Sequence, residues 1–354
     1  SNNTIVLKET ADFEEKLPNV IDNIRTNGEP GIMNQINIRE WGRIGKVDDH
    51  AREDTATLCN PCSEIPLEPF EVCNLAEIFP TRCKTEQEIM NAGKFATFYC
   101  MTVSLLPTHH PETNRVIARN RRIGVSMSGI ADLKDEIGSI RLISLCRKLY
   151  KHIRAINKHY ANEAGVPESI RVTTVKPSGT ISLLVGCSAG MHYPIHNCYI
   201  RRIRVSDNQP IIPLLVEAGI PYEKDTYADN TQVFEIPIRS SKYTRCARDV
   251  GVYEQFALLK LLQREYSDNM VSCTINFDKE KEANMLENVI AEFLPVIKSV
   301  SLLPHSDDET IYAQMPYEQI SDEEYERRAS VIRLIDWSKL TDSDGMEEKY
   351  CSTD

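Results

Sequence analysis

The stretch TLCNPCSEIPLEPFEVCNL, residues 57–75, places three cysteines within fifteen positions. Its centre, NPCSE, carries a carboxamide, a thiol and a carboxylate at every second residue. Because side chains alternate along an extended chain, these three groups would face the same way. Pro61 cannot donate to a sheet ladder, so a loop is favoured over a central strand. The pattern predicts a loop held extended, with Asn60, Cys62 and Glu64 directed into one cavity.

The residues alone leave three interpretations of the cysteines open. Cys59-x-x-Cys62, followed by Cys73 and Cys83, could hold a structural zinc ion through four thiolates. The ten-residue spacing of the second pair and the apolar IPLEPFEV between the pairs disfavour this. The thiols could instead be small buried residues. In the third interpretation a thiol reacts, a carboxylate acts as the base and an amide orients substrate hydroxyls.

Length and composition are those of an ordinary globular protein. The chain has 354 residues, of which 41% are hydrophobic, enough for one large domain or two ordinary ones. No apolar run reaches the length of a membrane span and no signal peptide opens the sequence, so we expect a cytoplasmic protein without a membrane partner. Eleven cysteines, an odd number in a long chain, favour reduced thiols over a disulfide framework.

The charge pattern disfavours a nucleic-acid partner. The formal net charge is −11, and the Lys and Arg residues are scattered along the chain. RNRRIG at 119–124 and YIRRIR at 199–204 are small exceptions. We expect these basic residues to lie on solvated strand or loop faces, with contact to a nucleotide phosphate as the alternative.

Apolar spacing predicts helices alternating with short strands. Helical patterns cover 12–27, with Pro18 expected near the first turn, then 85–106 and 139–163. The predicted strands are RVTTV (171–175), TQVFEIPI (231–238), MVSCTINF (270–277) and VSLLP (300–304). This alternation predicts an α/β fold with parallel strands.

The motif Asn-Pro-Cys-x-Glu, with a further cysteine eleven residues after the first, resembles the finger loop of the ribonucleotide reductase large subunit. The resemblance extends over about residues 20–330. Within this family, the sequence is most similar to the adenosylcobalamin-dependent, monomeric, triphosphate-reducing class. The motifs that carry it are NGEPGI (27–32), NRRIGVSMSGI (120–130), VKPSGTISLLVG (175–186), YIRRIR (199–204), VSLLP (300–304) and YAQMPYEQIS (312–321).

The resemblance implies an architecture. Residues 57–337 would form the second half of the family's ten-stranded α/β barrel, including its finger loop. Residues 1–56 would lead into it, and 338–354 would form a flexible acidic tail. Half a barrel would expose a sheet edge, so we expect an N-terminal half as a separate chain, with a polypeptide awaiting ligation or splicing as the alternative.

The resemblance also implies roles in the reduction of ribonucleotides to 2′-deoxyribonucleotides. Cys62 would carry a transient thiyl radical, Glu64 would accept the 3′-hydroxyl proton, and Asn60 would bind the sugar hydroxyls. Cys73 would be one of two thiols that supply the reducing equivalents. Ser63 departs from the Gly usual in close relatives, which leaves the local backbone conformation open.

Further implications concern the nucleotide, the cofactor and the reductant. Pro177, Ser178, Gly179 and Thr180 would bind the phosphates of a ribonucleoside triphosphate. The absence of an adjacent tyrosine pair in 300–320 favours adenosylcobalamin over a radical-donating subunit, with a class I-type fragment as the alternative. Cys351, a single tail cysteine, would help thioredoxin or another dithiol re-reduce the site. His192 and His196 are expected to be structural, and no metal site is predicted.

Overall fold

The computed structural model describes residues 3–40, 54–240, 245–305 and 313–340. The chain divides into two compact units. The larger unit comprises residues 1–195 and 241–305, and the smaller unit comprises residues 196–240 and 306–354. The predicted boundaries at 56 and 338 follow the family resemblance, not this division, and they stay predictions.

The larger unit holds the predicted cysteine loop. Its strands are β1 (Thr4–Leu7), β2 (Gly31–Asn34), β3 (Leu58–Cys59), β4 (Pro66–Leu67), β5 (Leu75–Ile78) and β6 (Gly124–Met127). Its first helices are α1 (Thr10–Asn27), α2 (Gln35–Glu40), α3 (Glu86–Ser104), α4 (Pro111–Asn120), α5 (Ile130–Ala164) and α6 (Ile181–Val185).

The smaller unit and the end of the larger one follow in the chain. The smaller unit contains β7 (Cys198–Ser206), α7 (Ile212–Glu217), β8 (Tyr222–Lys224) and β9 (Thr231–Arg239). The chain then returns to the larger unit with α8 (Val252–Glu265), β10 (Thr274–Phe277), α9 (Leu286–Phe293) and β11 (Ser299–Pro304). It ends in the smaller unit with β12 (Tyr317–Gln319) and α10 (Asp322–Ala329).

The strands of the larger unit pair mainly in parallel. β5 pairs with β6, and β10 pairs with β11, in parallel. Single parallel bridges, Val125 to Thr173 and Val175 to Val271, join segment 171–175 to its two neighbours. β11 then pairs antiparallel with β2, which pairs in parallel with β1. The order therefore runs β5, β6, segment 171–175, β10, β11, β2, β1.

Helices pack against this sheet through their apolar faces. The main core joins buried side chains of the long helices, such as Ile24, Leu149 and Phe256, to strand residues such as Val125 and Ile275. The helix predicted at 12–27 begins earlier, at Thr10, because Glu9 and Asp12 form a capping box before it. Pro18 therefore lies inside the helix, and the expectation that it occupies the first turn was wrong.

The smaller unit is an antiparallel sheet in the order β12-β7-β9-β8. Phe234, Leu215 and Ile220 form its buried core. Ion pairs fasten α10 to this sheet, including Arg328 to Glu235 at 2.7 Å. The α/β prediction is confirmed, but parallel pairing holds only within the larger unit and is interrupted there between β11 and β2.

The predicted helices at 85–106 and 139–163 are present as α3 and α5, and the predicted strands at 231–238 and 300–304 as β9 and β11. The strand predicted at 270–277 is shorter, because only Thr274–Phe277 forms a ladder. None of the described helices is long and apolar enough to cross a membrane.

Candidate active site

The cysteine stretch folds as a short hairpin, not as an extended loop. β3 and β4 pair antiparallel, and the backbone N–H of Ser63 donates to the carbonyl of Asn60 at 2.9 Å. The side-chain oxygen of Asn60 accepts the backbone N–H groups of Glu64 (3.1 Å) and Ile65 (3.0 Å). An Asn side chain that bonds nearby backbone groups stabilises a turn. The prediction of alternating side chains on an extended chain was therefore wrong.

Ser63 adopts the left-handed backbone conformation, with φ of 59°. This is the position at which the resemblance leads us to expect Gly. The conformation is unfavourable for a residue with a Cβ atom, although short polar side chains tolerate it best. Its hydroxyl lies 3.5 Å from the thiol of Cys59, beside the turn. The tip of the hairpin therefore stores some backbone strain.

The hairpin brings Cys62 and Cys73 into one neighbourhood. Both residues are exposed at the surface of the described chain. The side-chain amide of Asn60 lies 3.6 Å from the sulfur of Cys73. Although the residues are exposed, their sulfur atoms are partly shielded from water. This partial desolvation, with Glu64 nearby, raises the pKa of Cys73 to about 12, and the same two causes raise the pKa of Cys62. Both thiols therefore keep their protons near neutral pH.

Glu64 is almost fully buried, with 2% of its surface exposed. Its backbone carbonyl accepts the hydroxyl of Thr174 (2.7 Å) and the N–H of Met270 (3.0 Å), which fastens the hairpin to the neighbouring strands. Within the described chain its Oε2 atom has no hydrogen-bond partner. Burial raises the pKa of this carboxyl, and Lys176 partly offsets the effect. Glu64 thus has the environment of a general base that can accept a proton from a hydroxyl placed beside it.

A buried arginine holds both ends of the hairpin. Arg122 donates to Asp54, upstream of β3, at 2.8 and 3.1 Å. Its Nε atom donates to Glu71, downstream of β4, at 2.9 Å. The three side chains are at most 3% exposed. Arg171 also binds Asp54, through its Nε atom at 2.5 Å.

This arrangement corrects the expectation for RNRRIG. Arg122 is neither solvated nor free to bind a phosphate, because two buried carboxylates occupy its guanidinium. Only the strand pattern that buries residues around 122–127 could have suggested it, since the carboxylates lie far away in sequence. Arg119 and Asn120 of the same motif contact Glu68, and Asn120 also contacts Glu71, next to the hairpin.

The residues predicted to bind phosphate follow segment 171–175 and form a turn at Pro177–Thr180. Ser178 is left-handed, with φ of 50°, and its hydroxyl donates to the carboxylate of Glu77. Gly179 and Thr180 are exposed. The helix that follows, α6, has only five residues. The expected turn is present, but the side chain of Ser178 is already engaged.

The hairpin and the turn at Pro177–Thr180 both contribute to the wall of a cavity of about 220 Å³. Cys62 and Pro177 both line it, together with Cys273. Its other polar walls are hydroxyls, from Thr4, Ser63, Ser272, Thr274, Ser299 and Ser301. Such a lining suits a ligand with several hydroxyl or carbonyl groups.

His192 is structural, as expected. Its Nδ1 atom lies 3.0 Å from the carbonyl of Ala189, and its Nε2 atom accepts the backbone N–H of Thr274 at 2.9 Å. The two contacts define a neutral ring with the proton on Nδ1. Burial lowers the pKa of this imidazole. His196 belongs to the smaller unit, where its carbonyl accepts the hydroxyl of Ser240 at 2.9 Å.

The zinc interpretation finds no support in the part of the chain that the structure describes. No group of three or more His, Cys, Asp or Glu side chains there could hold a metal ion. All ten described cysteines are free. The predicted tail residue, Cys351, lies outside the described residues.

Comparison with known proteins identifies relatives over the whole chain. The chain is 38% identical, over 100% of its length, to a probable adenosylcobalamin-dependent ribonucleoside-triphosphate reductase of Dictyostelium discoideum. It is 36% identical over 94% of its length to the adenosylcobalamin-dependent ribonucleoside-triphosphate reductase of Euglena gracilis. These matches cover 46% and 45% of the two relatives, so the chain spans about half their length. No family-level sequence profile matches.

Solved structures agree. A B12-dependent class II ribonucleotide reductase superposes with a TM-score of 0.84 at 34% identity, covering 94% of this chain and 50% of that one. The Actinobacillus ureae class Id ribonucleotide reductase alpha subunit shares the fold, with a TM-score of 0.60 at 14% identity over 86% of this chain and 65% of that one. The fold is thus that of about half of a class II ribonucleotide reductase. By sequence, the chain is homologous to about half of a class II, adenosylcobalamin-dependent ribonucleoside-triphosphate reductase.

Proposed function

We propose that this chain carries the catalytic residues for reduction of ribonucleoside triphosphates to 2′-deoxyribonucleotides. The observation that carries the proposal is the hairpin itself. It presents Asn60, Cys62 and Glu64 at one turn, with the amide of Asn60 3.6 Å from the sulfur of Cys73. The named activity of relatives at 36–38% identity supports the same reaction.

Cys62 is proposed to carry the thiyl radical. It is exposed beside the hydroxyl-lined cavity, so a substrate carbon can approach its sulfur. Its raised pKa, caused by partial desolvation of the sulfur and by Glu64, keeps the sulfur protonated. An S–H bond, not a thiolate, is the form that exchanges a hydrogen atom with a ribose carbon. The local electrostatics therefore suit hydrogen-atom transfer.

Glu64 and Asn60 are proposed to act on the sugar hydroxyls. Glu64 has an unpartnered buried oxygen and a raised pKa, which suits a general base near neutral pH. The oxygen of Asn60 is already occupied by two backbone N–H groups, so only its N–H₂ group remains to bind a substrate oxygen. Cys73 is proposed as one of the two reducing thiols.

The turn Pro177–Thr180 is proposed to bind the triphosphate. Because Glu77 engages the hydroxyl of Ser178, we assign this binding to the exposed backbone of Gly179 and Thr180 and to the hydroxyl of Thr180. Pro177 lines the same cavity as Cys62, so one ligand could contact both places.

Adenosylcobalamin is proposed as the cofactor because the relatives are named for it. The hydroxyl-lined cavity next to Cys62 is already assigned to the substrate. Its volume of about 220 Å³ is below the roughly 300–1,000 Å³ of ordinary ligand pockets, so the corrin ring would require other surfaces. When bound, adenosylcobalamin supplies an organic radical.

A partner segment is proposed to complete the sheet. Within the described chain β5 pairs only with β6, and β1 pairs only with β2, which leaves one edge of each open. Exposed apolar side chains lie close to β5 in the fold, such as Tyr99 (57%) and Leu106 (62%). We propose that the half of the reductase relatives that this chain does not span, as a separate chain or segment, covers them. A dithiol such as thioredoxin would restore the thiols, in the reducing cytoplasm.

The test is a reduction assay with a ribonucleoside triphosphate, adenosylcobalamin and dithiothreitol. The chain is assayed alone and mixed with the N-terminal half of a relative. Cys62→Ser is compared with Cys83→Ser, a partly buried thiol whose sulfur lies 3.8 Å from the carbonyl of Phe79. We expect deoxynucleotide from the wild-type mixture and from Cys83→Ser, and none from Cys62→Ser. Product that survives Cys62→Ser, or none from any mixture, would contradict the proposal.

A further inference from the structure

Glu77, on β5, is a buried carboxylate that contacts the turn Pro177–Thr180, to which the proposed function assigns the triphosphate. Its side chain is 3% exposed. Its Oε1 atom accepts the hydroxyl of Ser178, within this turn, and the hydroxyl of Ser128 at 2.5 Å. Its Oε2 atom lies 3.4 Å from the ammonium nitrogen of Lys176. A buried charge is costly unless it is paired and hydrogen-bonded, and these three contacts meet that requirement.

The turn has a backbone conformation that requires support. Ser178 is left-handed, with φ of 50°, and a residue with a Cβ atom keeps this conformation only where its surroundings hold it. The carbonyl of Ser178 accepts the backbone N–H of Ser182 at 3.2 Å, so the start of α6 depends on it. At Gly179, apart from the chain neighbours, no atom of the described chain lies within 4 Å of the position of a Cβ atom. The turn is therefore open at Gly179 and held at Ser178.

A second connection holds the residue that enters the turn. The hydroxyl of Ser128, which donates to Glu77, accepts the backbone N–H of Gly190 at 2.9 Å. Gly190 packs directly on the carbonyl oxygen of Lys176, and a Cβ atom at Gly190 would overlap that oxygen. The backbone N–H of Lys176 donates to the hydroxyl of Ser126 at 2.9 Å. Glu77 thus holds the turn directly, and its entry through two further residues.

The same strands connect the turn to the hairpin. The hydroxyl of Thr174, four residues before Ser178, donates to the carbonyl of Glu64 at 2.7 Å. Pro177 and Cys62 line one cavity. A ligand held by the turn would therefore have its position relative to Cys62 and Glu64 set by the turn. Reaction between a bound substrate and a catalytic group requires such a fixed geometry.

We infer that Glu77 is a positioning residue that holds the turn Pro177–Thr180 in the conformation that binds the triphosphate, through the hydroxyls of Ser178 and Ser128. The inference deepens the proposed function and rests on it. An anion beside a bound phosphate would repel it, so Glu77 acts through its hydrogen bonds and not through its charge. Glu77→Gln separates the two effects, because the amide keeps an acceptor oxygen without the charge. Lys176 is 24% exposed and can then turn its ammonium to water.

The first test is hydrogen exchange of the full chain without ligand, followed by mass spectrometry of peptides that span 178–186. The N–H of Ser182 reports on the turn because it donates to the carbonyl of Ser178. Glu77→Leu and Ser178→Ala should each speed exchange there by about tenfold, since each removes a buried hydrogen bond to a charged group. The double variant should exceed neither by more than about twofold, because both changes remove one interaction. Glu77→Gln should stay within about twofold of wild type.

The matched control is Gln255→Leu. It removes a buried side chain with three hydrogen bonds of 2.8 to 3.0 Å to Val250 and Asn276, and it should leave exchange at 178–186 unchanged. Unchanged exchange in Glu77→Leu would overturn the inference. The same holds if Glu77→Gln matches Glu77→Leu, or if Gln255→Leu has the same effect at 178–186, since general loosening would then explain the result.

The second test is the reduction assay with the N-terminal half of a relative. Glu77→Leu should raise KM for the ribonucleoside triphosphate by about tenfold and change kcat by less than about threefold, whereas Glu77→Gln should restore KM. An unchanged KM in Glu77→Leu, or a KM in Glu77→Gln well below that of wild type, would overturn the inference and leave the proposed function standing. A wild-type mixture without product would refute the proposed function, and the exchange rates would still decide whether Glu77 holds the turn.

Discussion

Replacing Arg122 with Met should lower the free energy of unfolding by about 3–5 kcal/mol, the usual cost of removing one partner from a buried ion pair. The guanidinium makes three bonds of 2.8 to 3.1 Å to Asp54 and Glu71, and its side chain is 1% exposed. Without it, Asp54 keeps Arg171 as a cation. Among the described residues, Glu71 keeps the amide of Asn120 and the backbone N–H of Glu68, both uncharged.

The loss has an upper limit because Glu71 can bind a proton. Burial already raises the pKa of this carboxyl in spite of Arg122, and without the arginine the effect of burial is less opposed. Burial would also raise the pKa of Asp54, but Arg171 and Arg122 outweigh it and hold that pKa well below its usual range. A carboxyl group whose pKa is lowered by folding stabilises the fold above about pH 4, and this stabilisation is lost in acid. Asp54 stays ionised at pH 5 and pH 8, so the difference between these pH values comes from Glu71. Loss of Arg122 raises the pKa of Glu71 further, and a raised carboxyl pKa destabilises the fold where the carboxyl is ionised. The stability difference between Arg122→Met and wild type should therefore be larger at pH 8 than at pH 5.

Urea unfolding followed by circular dichroism measures the loss. The matched control is Arg147→Met, which breaks a two-bond pair with Glu265 on a side chain that is 59% exposed. An exposed pair contributes about 0.2–1 kcal/mol, so this control should change little. If Arg122→Met costs no more than Arg147→Met, or if its cost grows as the pH falls, the assignment of Arg122 as the clamp of the hairpin is incorrect.

Three further predictions concern the hairpin and its supports. Ser63→Gly should raise stability by about 1 kcal/mol, because Gly adopts the left-handed conformation without strain; a lower melting temperature would argue against strain at this turn. Glu64→Gln should stabilise the protein by about 1 kcal/mol at pH 8 and not below pH 4, because the raised pKa of Glu64 destabilises the fold only where the carboxyl is ionised, and melting curves at both values test this. The lowered pKa of His192 predicts that stability falls as the pH drops below about 6.5, and His192→Gln should lack this component in a pH series.

Much of the candidate site could be proposed from local sequence. Asn60, Cys62, Glu64 and Cys73 lie within fourteen residues, and the structure brings them to one hairpin and its flank. The long helices α3 and α5 follow from apolar spacing, because a helix reports the environment of its own faces. The local sequence did not predict the backbone geometry at the tip of the hairpin. The oxygen of Asn60 competes for backbone N–H groups and makes a turn where alternation alone predicts an extended chain.

The sequence by itself determined which residue types are available and where the main helices and several strands form, since these depend on neighbours three or four positions apart. Only the tertiary structure decided the partners of the buried charges. Arg122 meets Asp54 across 68 positions, and Lys176 meets Glu77 across 99. A buried charge requires an opposite charge or a hydrogen-bonding group, but no periodicity in the sequence states which one. The packing of strands from distant parts of the chain makes that choice.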